Sequence, residues 1–206
     1  MSDDHAQLRE DLARVREFFT SRAAGWDAKF SGDGPAYRAA VAELALRSGD
    51  HVLDAGCGTG RALPALREAV GAQGTVLGAD LTPAMIDTAV EAGRHVCGQL
   101  LVADVARLPL RSEVLDAVFA AGLISHLPRP EDNLRELARV VRPGGRLALF
   151  HPVGRAALAA RQGRQITPDD LRAKQHLRPL LARSGWRMTS YVDTDARFLA
   201  LATRQL

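Results

Sequence analysis

The stretch His51-Val52-Leu53-Asp54-Ala55-Gly56-Cys57-Gly58-Thr59-Gly60-Arg61 decides the fold. His51 to Asp54 reads as a short buried strand, and it runs directly into a loop with glycine at every second position. Glycines there permit a tight turn and let a ligand lie close against the backbone. A dinucleotide loop would read G-x-G-x-x-G and set a pyrophosphate on the following helix N-terminus. Here Arg61 stands where the third glycine of that pattern would fall, and Asp54 precedes the first. A carboxylate at that point repels a pyrophosphate and suits a cationic amine.

Outward from this loop the chain alternates short apolar runs with helical segments. Strands are predicted at 75–80, 100–104, 115–120 and 146–150. Helices are predicted from the glycine loop to about Val70, from Pro83 with Thr82 as N-cap, and from Pro130 to Val141, stopping at Pro143-Gly144-Gly145. Such alternation predicts an α/β fold, a Rossmann-like doubly wound seven-stranded sheet covered by helices on both faces. A helix is predicted over 168–184, capped by Thr167. The closing strands, 186–192 and 197–202, turn at Asp193-Thr194-Asp195 and form an antiparallel pair. The segment 152–167 reads as a loop or a short helix. At the front, 6–20 is helical, 31–35 is a turn, and a second helix carries Tyr37, Val41, Leu44 and Leu46.

With 206 residues, 47% of them hydrophobic and a net charge of +3, the composition fits one globular domain over 1–206. Its expected parts are N-terminal lid helices over 1–49, a cofactor-binding core over 50–150, and a C-terminal loop, helix and strand pair over 151–206. Lysine occurs only at Lys29 and Lys174, and the arginines are scattered among acids. That argues against a nucleic-acid partner. No apolar run is long enough to cross a membrane and the start is polar, so a cytoplasmic location is expected. Cys57 and Cys97 suggest neither a disulfide framework nor a metal site. Oligomeric state leaves no mark on the sequence.

Ligands of an open parallel sheet bind at the carboxyl ends of its strands. Asp54, Asp80, Asp104 and the Ala120-Ala121-Gly122 segment all fall there. Asp80 can accept hydrogen bonds from two ribose hydroxyls. Asp104 can accept from an adenine amine, with the Val105 backbone N–H reaching a ring nitrogen; a turn into Ala106-Arg107-Leu108-Pro109 is its plain alternative. Together the acids select a ligand with an amine, a ribose and an adenine and no phosphate.

In these stretches, and in 116–118, 126–127 and 139–145, the chain resembles the class I S-adenosylmethionine-dependent methyltransferases over about residues 50–150. The likeness is strongest to the branch that includes the ubiquinone and menaquinone C-methyltransferases. The resemblance implies that S-adenosyl-L-methionine is bound and its methyl group passed to a small-molecule acceptor. It implies that the loop from Gly56 to Gly60, with Asp54, Ala55 and Cys57, passes under the methionine part, and that Asp80 holds the ribose. Leu81 and Met85 would pack near the adenine, and Asp104 and Val105 would bind its edge. Ala120 and Ala121 would offer backbone groups to the methionine amine. Ala24-Gly25-Trp26-Asp27 resembles the family's lid segment, with Trp26 where many relatives have Tyr. Relatives often carry paired histidines after the fourth strand; here the pair is Ser125-His126. His126 and His151 are the candidate general bases, against a structural role for each. Arg155, Arg161 and Arg164 are candidates to bind or steer an anionic acceptor, against a solvated helix face. A nucleotide-dependent oxidoreductase, or a protein that binds the cofactor without methyl transfer, are the other functions such a pocket allows.

Overall fold

A computed structural model describes residues 2–206. Its centre is one seven-stranded sheet in the order β3-β2-β1-β4-β5-β7-β6. The strands are β1 (His51–Ala55), β2 (Thr75–Asp80), β3 (Gln99–Val102), β4 (Leu115–Ala121), β5 (Val141–His151), β6 (Trp186–Thr194) and β7 (Arg197–Arg204). β1 to β5 pair in parallel, while β7 inserts antiparallel between β5 and β6. The helices are α1 (Ser2–Thr20), α2 (Trp26–Lys29), α3 (Gly34–Glu43), α4 (Leu63–Val70), α5 (Pro83–Glu91), α6 (Pro130–Val140), α7 (Arg155–Arg161) and α8 (Lys174–Arg183).

Alternation along the strands splits the core in two. Val52, Val76, Phe119 and Phe150 point to one side, where α3, the Leu44 that follows it and α4 supply Val41, Leu44, Leu63 and Leu66. Leu53, Leu77, Val118 and Leu149 point to the other, where α6 and α8 supply Leu134, Leu137, Leu177 and Leu181. Neither face meets water, so the central strands read as continuous apolar runs. Trp186 is fully buried, and its indole N–H donates to Leu134 O at 2.9 Å, binding the antiparallel pair to α6.

Several elements depart from their predicted bounds. β5 begins at Val141, five residues early, and Pro143-Gly144-Gly145 lies inside it rather than in a turn. The register against β4 slips between the pairs Leu115–Val141 and Ala117–Arg146, so the Pro-Gly-Gly segment is absorbed as an irregularity of the strand. Asp116 holds this corner, accepting from His51 N at 2.6 Å and pairing with Arg142 Nε at 2.6 Å. β3 ends at Val102, two residues short. α1 reaches back to Ser2, with Asp4 in its first turn, where the helix dipole favours an acid. The 31–35 turn is a 3-10 turn over Ser31–Asp33 that runs straight into α3. Thr82 does precede α5, but its side chain caps nothing; its backbone N–H donates to Asp80 Oδ1 at 2.8 Å.

The predicted helix over 168–184 starts only at Lys174, and Thr167 is not its cap. Asp170 takes the backbone N–H of Arg172 at 2.9 Å and its guanidinium at 3.1 Å, which folds the chain into a local turn that competes with helix. Within 152–167 the short-helix alternative is realised as α7. Its root is tight: a Cβ on Gly154 would lie 1.6 Å from Thr194 O, so only glycine lets this backbone pass the β6–β7 turn.

Candidate active site

The strand order reverses between β1 and β4, and a cavity of about 710 Å³ opens there at the carboxyl ends of the strands. The glycine loop forms its floor. Gly56 N and Cys57 N both donate to Ala79 O, at 2.8 and 3.0 Å, hooking the loop to the end of β2. Gly56, Gly58 and Gly60 all have positive φ. At Gly56 a Cβ would also come within 2.7 Å of Leu123 Cδ1, so the residue after β4 closes directly over the loop.

Asp54, at the end of β1, is buried at 2% exposure yet borders the cavity. Among the described residues nothing donates a hydrogen bond to its carboxylate. Burial, with Asp80 nearby, pushes its pKa up to about 8. Asp80 ends β2. Its Oδ2 accepts from Gly58 N at 2.9 Å and its Oδ1 from Thr82 N. Burial raises its pKa, and these two hydrogen bonds oppose the rise. Asp104 borders the cavity beside Val105 and also makes the expected turn, accepting from Ala106 N at 2.9 Å. The turn is therefore formed while Asp104 still borders the cavity.

Trp26, Gly56, Cys57, Leu81, Met85 and Ala121 all line this cavity, as do His126 and His151. Ala55, Gly60 and Ala120 do not. Ala55 and Ala120 point into the core beneath α6 and α8, and Gly60 turns away toward Leu63 and Ala89. Cys57 is a buried thiol whose pKa is raised by burial and by Asp54 and Asp80.

The N-terminal segment adds contacts around Trp26 that the sequence did not single out for the site. Asp27 accepts from Thr59 Oγ at 2.6 Å and pairs with Arg94 at 2.6 Å, which ties α2 to the glycine loop. Arg61, only 12% exposed, pairs with Asp33 at 3.4 Å and lies 5.0 Å from the Tyr37 ring centroid. Burial pushes the Tyr37 hydroxyl up to about 12 against the pull of Arg61. Trp26 is wedged between Phe19 and Phe30, with ring centroids at 5.6 and 4.9 Å. Sequence spacing carries no trace of the Asp27–Thr59, Asp27–Arg94 and Asp33–Arg61 contacts, because they join the N-terminal segment to the core through tertiary packing.

The far end of the cavity differs in charge. His126, on the turn after β4, sets its ring edge-on to Phe19 of α1 at 4.9 Å. His151 ends β5. Burial lowers the pKa of both histidines. Arg161, Arg164 and Arg172 border this end, and a second space of about 280 Å³ adjoins it under the 162–172 segment. Arg155 does not reach the cavity; it pairs with Asp193 at 2.8 Å and Asp170 at 3.6 Å. The site is thus acidic at the glycine loop and basic opposite. No group of three potential metal-ligating side chains occurs among the described residues.

Residues 53–149 match the family model described as a methyltransferase domain. The chain is 37% identical over 110 residues to 27-O-demethylrifamycin SV methyltransferase of Amycolatopsis mediterranei, covering 52% of this chain and 40% of that protein. It is 30% identical over 150 residues to a probable tRNA methyltransferase 9B of Bos taurus, covering 71% of this chain and 31% of that one. The chain therefore spans less than half the length of either relative. Its fold matches that of magnesium protoporphyrin IX methyltransferase from Synechocystis with bound S-adenosylhomocysteine, at a TM-score of 0.71 and 18% identity over 95% of this chain and all of that one. Over residues 53–149 the chain is thus similar to methyltransferase domains, and its fold is the one seen in solved S-adenosylmethionine-dependent methyltransferases.

Proposed function

We propose that this chain transfers a methyl group from S-adenosylmethionine to a small-molecule acceptor. One observation carries the reading: a buried carboxylate, Asp54, opens into the cavity with no hydrogen-bond partner among the described residues, between the glycine loop and Asp80. An unpartnered buried acid is costly unless a cation meets it. The ammonium and sulfonium of the cofactor supply positive charge there, while Arg161, Arg164 and Arg172 border the opposite end of the cavity, away from the glycine loop. Asp80 accepts from the ribose hydroxyls, its carboxylate already oriented by Gly58 N and Thr82 N. Asp104 and Val105 take the adenine edge, with Leu81 and Met85 against the ring. Trp26 closes the methionine end, Cys57 and Ala121 border it, and Ala55, Gly60 and Ala120 shape the wall from behind.

When bound, the cofactor supplies an already electrophilic methyl group. The residues of the chain hold the acceptor in line and keep water out, which alone accelerates such a displacement by several kcal/mol. A small acceptor fits the enclosure, since α1 and α7 roof the cavity and leave no broad basic face for a polynucleotide.

Calorimetry with S-adenosylmethionine, S-adenosylhomocysteine and NADH tests the cofactor. Saturable binding of the first two is expected, and preference for NADH would replace the reading with an oxidoreductase. Labelled-methyl transfer to a panel of small molecules and to bulk tRNA tests the acceptor. Transfer to tRNA alone would overturn the small-molecule assignment, and binding without any transfer would leave a cofactor-binding protein.

A further inference from the structure

The basic end of the cavity holds positive charge that the chain does not neutralise. α7 finishes in a left-handed glycine cap: Gly163 has positive φ, Arg164 N donates to Ala159 O at 2.9 Å, and Gly163 N donates to Ala160 O at 3.0 Å. This cap fixes where Arg161 and Arg164 leave the backbone, and both residues border the cavity. Arg161 would suit the negative end of the helix dipole on any side of α7; the side it takes is the cavity's. Neither arginine meets a carboxylate within ion-pair distance among the described residues, and the Arg164 guanidinium donates to Gln162 Oε1, a neutral partner.

Arg172, just before α8, is 16% exposed and pairs with Asp170 at 3.1 Å. Asp170 is the one acid lining the adjoining space of about 280 Å³, and Arg155 shares it at 3.6 Å. That space joins the main cavity along Ser125, Leu158, Gln162, Arg164 and Arg172, which line both. No residue of the glycine loop lines it, nor does Asp54, Asp80 or Asp104. Burial lowers the pKa of His151, and Arg172 and Arg161 lower it further, which puts both guanidinium groups within electrostatic reach of the end of β5. Asp33 also faces His151, but it is taken by Arg61. A guanidinium in water needs no partner. Three of them around one end of a cavity, where the one carboxylate is already shared by two arginines, leave a net positive site open toward the cofactor pocket.

Building on the methyltransferase reading, we infer that the acceptor is a small molecule with an oxyanion group ionised at neutral pH, a carboxylate or a phosphate, and that Arg161, Arg164 and Arg172 dock this group beyond the atom that receives the methyl. Guanidinium forks match both oxyanions with paired N–H donors. Phe18, Phe19 and Leu127 line the same cavity and fit the apolar body of such a molecule. The oxyanion is an anchor and not the methylated atom, because the chamber beside these arginines shares no wall with the glycine loop. Holding the acceptor by its far end turns its reacting atom toward the sulfonium. A negative acceptor and a positive cofactor then match the divided charge of the cavity.

The test uses the whole chain loaded with S-adenosylhomocysteine and calorimetry with naphthoate, naphthyl phosphate and neutral naphthamide as probes. Saturable binding of at least one anion is expected, about tenfold or more tighter than naphthamide; the tighter of the two anions identifies the group. Arg161→Gln combined with Arg164→Gln should weaken that anion by about 5- to 30-fold, the worth of two partly screened charge-assisted contacts, and leave the S-adenosylhomocysteine Kd unchanged. Arg172 stays in place because it also holds the turn at Asp170. Arg178→Gln combined with Arg187→Gln removes the same charge from exposed positions that line neither space. This control should leave the anion's Kd within about twofold, since distant exposed charges are screened. Equal losses in the two double variants overturn the inference, because the effect is then a general field. Naphthamide binding as tightly as the anions, or no probe binding, overturns it as well; absence of S-adenosylhomocysteine binding overturns the cofactor reading instead. In labelled-methyl screens of hydroxy- and amino-naphthoates, naphthyl phosphates and the matching amides, the anionic members should be preferred and keep their oxyanion unmethylated. Methyl ester formation, a preference for the amides, or transfer to tRNA alone would sink the docking role.

Discussion

Asp54 behaves oppositely to most carboxylates of folded proteins. Its folded pKa of about 8 lies above the unfolded value of 3.8. Between those values the folded chain keeps a proton that the unfolded chain has lost. Stability is then fullest below the unfolded value and falls as pH rises toward 8. Asp54→Asn should flatten this slope, read as the change in urea midpoint between about pH 5 and pH 8; a slope that survives in the variant would place the proton elsewhere. A cationic cofactor reverses the preference, so binding near neutral pH should release a proton from Asp54. Calorimetry in buffers of different ionisation enthalpy should show that release in the wild type and lose it in Asp54→Asn. Asp80 has two duties, because its carboxylate also holds Gly58 N and Thr82 N. Asp80→Asn keeps the shape and removes the charge, and should weaken S-adenosylhomocysteine binding by about 10- to 100-fold, the worth of charge-assisted hydrogen bonds. An unchanged Kd would remove Asp80 from the ribose. These acids were legible in sequence because an aspartate ending an apolar run marks a strand end. The side chains of Ala55 and Ala120 turn into the core, because a strand end has two faces and only the pairing shows which one meets the core.

At the scale of elements, the parallel half of the sheet could be read from apolar runs and glycine punctuation, since both faces of each strand are covered. The boundaries that failed share a cause: a side chain or neighbouring strand outbid local propensity. Pro143-Gly144-Gly145 reads as a stop, yet pairing with β4 and Asp116's grip on Arg142 carry the strand through it. Thr167 reads as a cap, yet Asp170 captures the backbone first. Gly154 is the element-level weak point, since its would-be Cβ collides with backbone rather than with a side chain that can move. Gly154→Ala should destabilise the fold by about 1–3 kcal/mol, the usual cost of overpacking, measured by denaturant unfolding. A neutral result would mean that the α7 root and the β6–β7 turn separate freely.

For the whole molecule, the charge division of the cavity is the feature sequence could least reveal. The acids come from consecutive strands and announce themselves; the N-terminal cover and the basic end come from segments before β1 and after β5. α1 covers the cavity mouth through Val15, Phe18 and Phe19, and contributes little to either core. Removing residues 2–20 should therefore leave the cooperative unfolding transition in place while weakening S-adenosylhomocysteine binding at least about tenfold, as expected when apolar cover is replaced by water. Loss of the transition itself would show that α1 is part of the core. The anchorage of the segment between Gly154 and Ala173 has an evolutionary meaning. Arg155 grips Asp193 and Asp170 at one end, and at the other the Tyr191 hydroxyl donates to Arg172 O at 2.9 Å. Both ends are bolted to β6 or to each other, while the stretch between lies outside the sheet. Such a segment is a cassette: its fourteen positions between the anchors, 156–169, can be exchanged for another length or chemistry with the cofactor half untouched, and selection for a new acceptor would act there first.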